Sequence, residues 1–228
     1  MKTVLVTGAN RGIGLEFCRQ YAADGWRVLA CARQPGTSGA LHALAAGHPG
    51  QVTVHGLDVG VSDHIDALAR SLDSHPIDLL LNNAGVYPPD DPALDEAVWA
   101  GAFLINAIAP LHMARAFAPH LARGTGKIIA TLSSKMGSIS DNSSGGSYLY
   151  RSSKAAANML MKTLAVDLAP AGILTVALHP GWVRTDMGGP NALISAEQSV
   201  SGMRAVIARL TPADSGTFIA YDGRPVPW

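Results

Sequence analysis

Seven short apolar runs, Thr3–Thr7, Arg27–Cys31, Val52–His55, Asp78–Leu81, Lys127–Leu132, Leu174–Leu178 and Thr217–Tyr221, are separated by stretches of helical periodicity. Runs that lack polar alternation read as strands covered on both faces. Strands that alternate with helices pair in parallel, because each new strand is reached by a crossover. The pattern therefore predicts an α/β fold, a doubly wound sandwich around a seven-stranded parallel sheet, with ligands bound beyond the carboxyl ends of the strands. No linker or shift of composition divides the 228 residues, so one domain is expected over residues 1–228.

The bulk numbers narrow the function classes. Seventeen basic and seventeen acidic side chains cancel, which removes the electrostatic case for nucleic acid or an anionic membrane and leaves a small molecule as the expected partner. The two cysteines, Cys18 and Cys31, fall in apolar-patterned segments and read as small buried hydrophobes rather than a disulfide. With no secretory pattern at the start, and no segment expected to approach the roughly 20 residues of a membrane span, a cytoplasmic location is expected. Eight histidines are scattered without a His-Glu-x-x-His or Cys/His cluster, so no catalytic metal is expected.

Gly8, Gly12 and Gly14 lie between the first strand and the first helix, where absent Cβ atoms let backbone N–H groups approach a pyrophosphate at a helix N-terminus. That placement makes the fold Rossmann-type. An NAD-binding site carries an acidic residue at the end of the second strand; here Ala32 and Arg33 stand in that place, with Arg11 in the glycine loop. Two guanidiniums converging there would receive a 2′-phosphate, so NADP(H) is expected in preference to NAD(H).

Tyr150 and Lys154 are one helical turn apart. A phenol is a poor acid or base at neutral pH, and an ammonium on the same helix face would draw its pKa toward the working range. Asn106 precedes Pro110 by four residues. If that segment is helical, the proline has no N–H for the Asn106 carbonyl, which is left free to hold a water linking Lys154 to solvent; an ordinary proline kink in a packed helix is the alternative.

The chain resembles the classical short-chain dehydrogenase/reductase family in five separated segments. They are Thr7-Gly8-Ala9-Asn10-Arg11-Gly12-Ile13-Gly14, Leu57-Asp58-Val59, Asn82-Asn83-Ala84-Gly85, Ser133-Ser134 with Tyr150 and Lys154 beyond, and Pro180-Gly181. Within the family it looks most like the C-factor and carbonyl-reductase-like branch, from Thr185-Asp186-Met187-Gly188-Gly189-Pro190 and the ending Tyr221 to Trp228. The resemblance implies a catalytic set of Asn106, Ser134, Tyr150 and Lys154. It implies a cofactor site of Gly8, Asn10, Arg11, Gly12, Ile13, Gly14, Arg33, Asp58, Val59, Asn82, Ala84, Gly85, Tyr150, Lys154, Pro180, Gly181, Val183 and Thr185. Asp58 would hold the adenine, and Val183 and Thr185 the nicotinamide carboxamide; an Asx turn and a helix N-cap are the alternatives for Asp58 and Thr185. Ser133 rivals Ser134, and Tyr148 is a weaker rival to Tyr150.

The implied reaction is NADPH-dependent reduction of a ketone or aldehyde, reversible as alcohol oxidation. The alternative is a dinucleotide-binding signalling or redox-sensing protein with little turnover. Specificity is expected from loops Val86–Pro92, Met136–Ser147 and Trp182–Ser195, with Tyr87, Met136, Trp182 and Met187 giving an apolar surface, although Met136 and Met187 could equally be packing. Ser138–Ser147 is either a surface loop or a substrate contact. A homodimer or homotetramer is expected, with the apolar ending Pro225–Trp228 closing the core or joining a subunit contact.

Overall fold

In the computed structural model, which describes residues 1–73, 75–89 and 95–228, the seven apolar runs become β1 (Thr3–Thr7), β2 (Arg27–Ala32), β3 (Val52–Gly56), β4 (Leu79–Asn82), β5 (Ile128–Leu132), β6 (Leu174–His179) and β7 (Thr217–Ala220). They form one sheet in the order β3-β2-β1-β4-β5-β6-β7, every pairing parallel. The order reverses direction between β1 and β4, which opens a crevice at their carboxyl ends.

Alternation along each strand divides the core into two layers. Val4, Val6, Val28, Ala30, Leu79, Leu81, Val176 and Leu178 face α1 (Gly12–Ala23), α2 (Gly39–Gly47) and α7 (Ala196–Ala208). Leu5, Leu29, Leu80, Ile129, Ala177 and Phe218 face α3 (Ser62–Ser71), α5 (Ala109–Arg123) and α6 (Tyr148–Asp167). With both faces covered, the strands carry apolar residues at every position. Cys18 and Cys31 are buried free thiols, one in each layer.

Several expected ends shift. Asp78 lies just outside β4, its carboxylate accepting from the N–H groups of Thr3, Thr125 and Gly126 while its main chain still bonds to Thr3 and Ile128. Lys127 lies outside β5, with φ of 51° breaking the extended backbone. Tyr221 lies past β7, while β2, β3, β4 and β6 run one residue beyond expectation. The ending closes the core: Val226 is buried and donates to the Phe218 carbonyl at 2.8 Å, and the Trp228 ring stacks 5.6 Å from Phe218.

The expectation that no segment approaches a membrane span is corrected. Among the described residues one continuous helical run, Glu96–Arg123, is long and apolar enough by length and composition. It comprises α4 (Glu96–Phe103), a π-helical turn at Leu104–Ile108 and α5, and it sinks Met113, Phe117 and Leu121 into the sheet layer. Val98, Leu104 and Ile108 on the same run are exposed.

Candidate active site

The crevice is built first from the glycine loop. Gly8 has φ of +64°, and a Cβ on Gly14 would lie 2.2 Å from the Gly8 carbonyl and 2.5 Å from the Asn83 side chain, so α1 can start this close to β1 only without side chains there. Thr7 and Asn83, neither of them among the expected site residues, lock the loop to β4. The Thr7 hydroxyl accepts from the N–H groups of Asn83 and Ala84, each at 3.0 Å, and the Asn83 amide donates to the carbonyls of Thr7 and Gly8 at 2.8 and 3.1 Å. α1 has no side-chain cap and no acidic residue in its first turn, so its free N–H groups and positive dipole end suit an anion. The donor set fits a dinucleotide pyrophosphate.

The other expected cofactor residues ring this loop. Ile13 packs on the sheet core, Asn10 is exposed and its carbonyl accepts from Ser38 at 3.1 Å, and Gly12 faces Thr185. Arg33 is exposed just past β2. Arg11 does not turn to meet it: its guanidinium pairs with Asp186 at 2.6 Å, both side chains largely in solvent. Two cations repel, and Arg11 takes the carboxylate within reach on the loop after β6.

Asp58 makes the Asx turn given as its alternative, one carboxylate oxygen accepting from the Gly60 N–H at 2.9 Å, while Val59 packs on the core. The Asn82 side chain points into the layer under the sheet, donating to Thr131 at 3.2 Å and the Pro110 carbonyl at 3.4 Å. Beyond β6, the Pro180 carbonyl accepts from Ser199 at 2.6 Å, and a Cβ on Gly181 would lie 2.7 Å from Ile194. Val183 is buried beside Ile194, and the Thr185 hydroxyl accepts from the Gly188 N–H at 3.2 Å. Thr185 thus caps a turn. The helix that follows is capped by Ser195.

Asn106, Ser134, Tyr150 and Lys154 gather at the carboxyl ends of β4 and β5. A single point, the Cβ position of Gly85, is 3.2 Å from Asn106 Oδ1 and 3.6 Å from Lys154 Nζ. The Asn106 amide is held at both ends, accepting from the Val86 N–H at 2.9 Å and donating to the Val86 carbonyl at 2.9 Å and to Ser153 at 3.0 Å. Its carbonyl lacks an i+4 donor because Pro110 has none, and the chain there widens into the π-helical turn.

Lys154 Nζ donates to the Leu132 carbonyl at 2.9 Å and lies 5.8 Å from the centre of the Tyr150 ring. Burial lowers the ammonium to about 8. Burial also pushes the Tyr150 phenol up to about 12, opposed by the Ser134 hydrogen bond and reinforced by Tyr87. Lys154, whose ammonium donates to a main-chain carbonyl, is not among the groups that shift the phenol in the protein alone. A phenol this weakly acidic remains a hydrogen donor throughout the neutral range. The rival serine is committed elsewhere, Ser133 donating to Asn158 at 2.6 Å inside the core. Tyr148 is exposed. The rim includes Tyr87, whose ring centre is 4.5 Å from that of Tyr150 and whose hydroxyl is 3.0 Å from Ser147. On the loop after β6, Trp182 and Met187 are more than half exposed, so Met187 is not core packing, whereas Met136 is half-buried. Of the expected specificity loop Val86–Pro92, residues 90–92 lie outside the described residues.

The sequence matches the short chain dehydrogenase family over residues 2–193. The chain belongs to the short chain dehydrogenase family. It is 46% identical to the C-signal of Myxococcus xanthus over 166 residues, 71% of this chain and 99% of that one. It is 37% identical to the 1-hydroxy-2-glutathionyl-2-methyl-3-butene dehydrogenase of a Rhodococcus species, with both chains fully covered. Its fold superposes on an NADPH-bound carbonyl reductase from chicken fatty liver with a TM-score of 0.92 and 36% identity, covering 100% of this chain and 99% of the other. The chain is accordingly an NAD(P)-dependent oxidoreductase, and its seven-stranded parallel sheet is that of the family's carbonyl reductases.

Proposed function

We propose that this protein reduces a ketone or aldehyde to the alcohol at the expense of NADPH, with Tyr150 as the proton donor. The observation that carries the reading is the joining of Tyr150, Ser134 and Lys154 at the mouth of a glycine loop whose helix end is uncapped. NADPH, when bound, supplies the hydride. Gly12, Ile13 and Gly14 present N–H groups to its pyrophosphate, while Arg33 and Arg11 supply charge for a 2′-phosphate, Arg11 by exchanging Asp186 for it. Ser134 hydrogen-bonds the carbonyl oxygen and fixes it against the phenol, and Tyr150 releases its proton to that oxygen as negative charge develops. Lys154, one turn along, stabilises the phenolate left behind, and the Asn106 carbonyl, without its helical donor, takes part in returning the proton from solvent. Tyr87, Trp182 and Met187 offer an apolar flank to the substrate.

The likeness to the C-signal supports a second reading, in which the chain binds the dinucleotide as a signalling protein with little turnover. One assay separates them: NADPH oxidation followed optically over ketones, aldehydes and quinones, with Tyr150→Phe in parallel. Turnover that falls on the order of 1000-fold in the variant is expected. Tight NADPH binding with no turnover in either protein would transfer the case to signalling. In the same assay Arg33→Asp should shift preference toward NADH, and an unchanged cofactor ratio would remove Arg33 from the specificity argument.

A further inference from the structure

Arg151, Lys154 and Asn158 stand at i, i+3 and i+7 on α6, which the helical pitch puts on one stripe. That stripe grips the turn that follows β5 and carries Ser134. Asn158 accepts from Ser133 at 2.6 Å and donates to the Gly137 carbonyl at 3.1 Å, so one amide holds the turn on both sides of Ser134. Between these anchors the turn lies directly on the helix: a Cβ on Gly137 would be 2.7 Å from Lys154 Cβ and 2.8 Å from its main-chain carbon. Arg151 takes the remaining corner. Its guanidinium donates to the Met136 carbonyl at 3.3 Å, the Ser144 hydroxyl at 2.9 Å and the Gly145 carbonyl at 3.2 Å, joining the start of the Met136–Ser147 loop to its far part. The Met136 N–H in turn donates to the Ser134 hydroxyl at 3.2 Å, so holding Met136 holds the Ser134 side chain.

We infer that Arg151 and Asn158 are positioning residues that set the Ser134 hydroxyl against the Tyr150 phenol. The inference rests on the proposed roles of Ser134 and Tyr150. A planar fork serving three acceptors in different directions is a task for arginine; an ammonium on a flexible stem fixes one of them at a time. Asn158 is as particular, because it must accept from a hydroxyl and donate to a carbonyl at once, and aspartate can only accept. A displacement of Ser134 by a fraction of an ångström to 1 Å is enough to affect a step that depends on hydrogen-bond alignment.

The test uses the full chain with Arg151→Lys, Asn158→Asp and Ser134→Ala, alone and combined. The first two are expected to lower kcat per folded enzyme about 10- to 100-fold, with NADPH binding by fluorescence close to that of the parent; the melting temperature should stay close to the parent's in Arg151→Lys and fall in Asn158→Asp, which buries a carboxylate against the Gly137 carbonyl. Because the Ser134 hydrogen bond favours the phenolate, loosening it should also move the rising limb of the alcohol-oxidation profile, where the phenol must give up its proton to act as base, to higher pH. The titratable neighbours of that phenol are Tyr87, from the segment after β4, and Lys154 on its own helix. Neither is changed in these variants. In the Ser134→Ala background, Arg151→Lys and Asn158→Asp should have no further effect on kcat, since the group they act through is gone. An equal loss in that background, or a fall in melting temperature with kcat per folded enzyme and the pH limb unchanged, overturns the inference. Full activity in Ser134→Ala alone would instead overturn the assignment of Ser134.

Discussion

At the residue scale, Lys154, a member of the proposed catalytic set, is held at a cost in stability. Its amine is buried with a single main-chain carbonyl as hydrogen-bond acceptor, and burial lowers it from 10.5 to about 8, a cost to the folded state of roughly 3 kcal/mol at neutral pH. The sign follows from linkage. Between pH 8 and 10.5 the unfolded chain holds the proton that the folded chain has released, so stability rises with pH across that window. Lys154→Met should therefore stabilise the protein at pH 7, by about 1–2 kcal/mol once the loss of the bond to the Leu132 carbonyl is set against the relieved burial. That gain should disappear by pH 10.5, with turnover lost throughout. Urea unfolding of both proteins at pH 7 and pH 10.5 reads this directly, and a pH-independent difference would show that the buried charge is not the source.

At the element scale, legibility in the sequence followed the size of the physical signal. Strands buried on both faces are continuous apolar runs, so all seven were readable, as was the glycine turn that opens α1. Their ends were not, because an end is decided by partners remote in sequence. Asp78, read as the first residue of β4, stands just before it with its carboxylate held by the main-chain N–H of Thr3, 75 residues away. The site was legible where chemistry imposes a spacing, as for Tyr150 and Lys154, and illegible where one side chain serves another. Asn83 reads as a polar residue in a loop until its amide is seen bridging two carbonyls of the β1 turn, and Asn158 reads as an interruption in a helix until Ser133 is found against it. Pro110 announced a disturbance at Asn106. Its form, a turn widened to i+5 bonding, joins α4, packed against α6, to α5, packed against the sheet. The pairing of Arg11 with Asp186 spans 175 residues, beyond any local pattern.

At the scale of the whole molecule, the sheet separates its two ends. The carboxyl ends carry strained glycines, a buried amine and aromatic side chains open to solvent, all of which cost stability. The amino ends carry a compensating knot at Asp78, whose two oxygens accept from the Thr3 N–H at 2.7 Å, the Thr125 N–H and hydroxyl at 2.7 Å each, and the Gly126 N–H at 2.9 Å. Burial works against this carboxylate, but the bonds from Thr3, Thr125 and Gly126 outweigh it and hold the group below the usual carboxylate range. A depressed carboxylate contributes stability that is present above its unfolded pKa and is lost as pH falls through the folded one. Asp78→Asn removes the charge and turns an amide donor toward N–H groups that need an acceptor, so a loss of about 2–4 kcal/mol is expected at pH 7. The gap to the parent should narrow as both proteins are taken toward pH 3, where the parent's carboxylate begins to protonate. Because the knot lies at the far end of the strands from Tyr150, the variant that remains folded should keep the parent's kcat and KM. Denaturation curves at pH 7 and pH 3.5, with kinetics at a temperature well below either transition, test both halves. A kinetic defect of the same order as the stability defect would mean that the two ends of the sheet are coupled, and that the family's catalytic apparatus depends on the packing of the edge opposite to it.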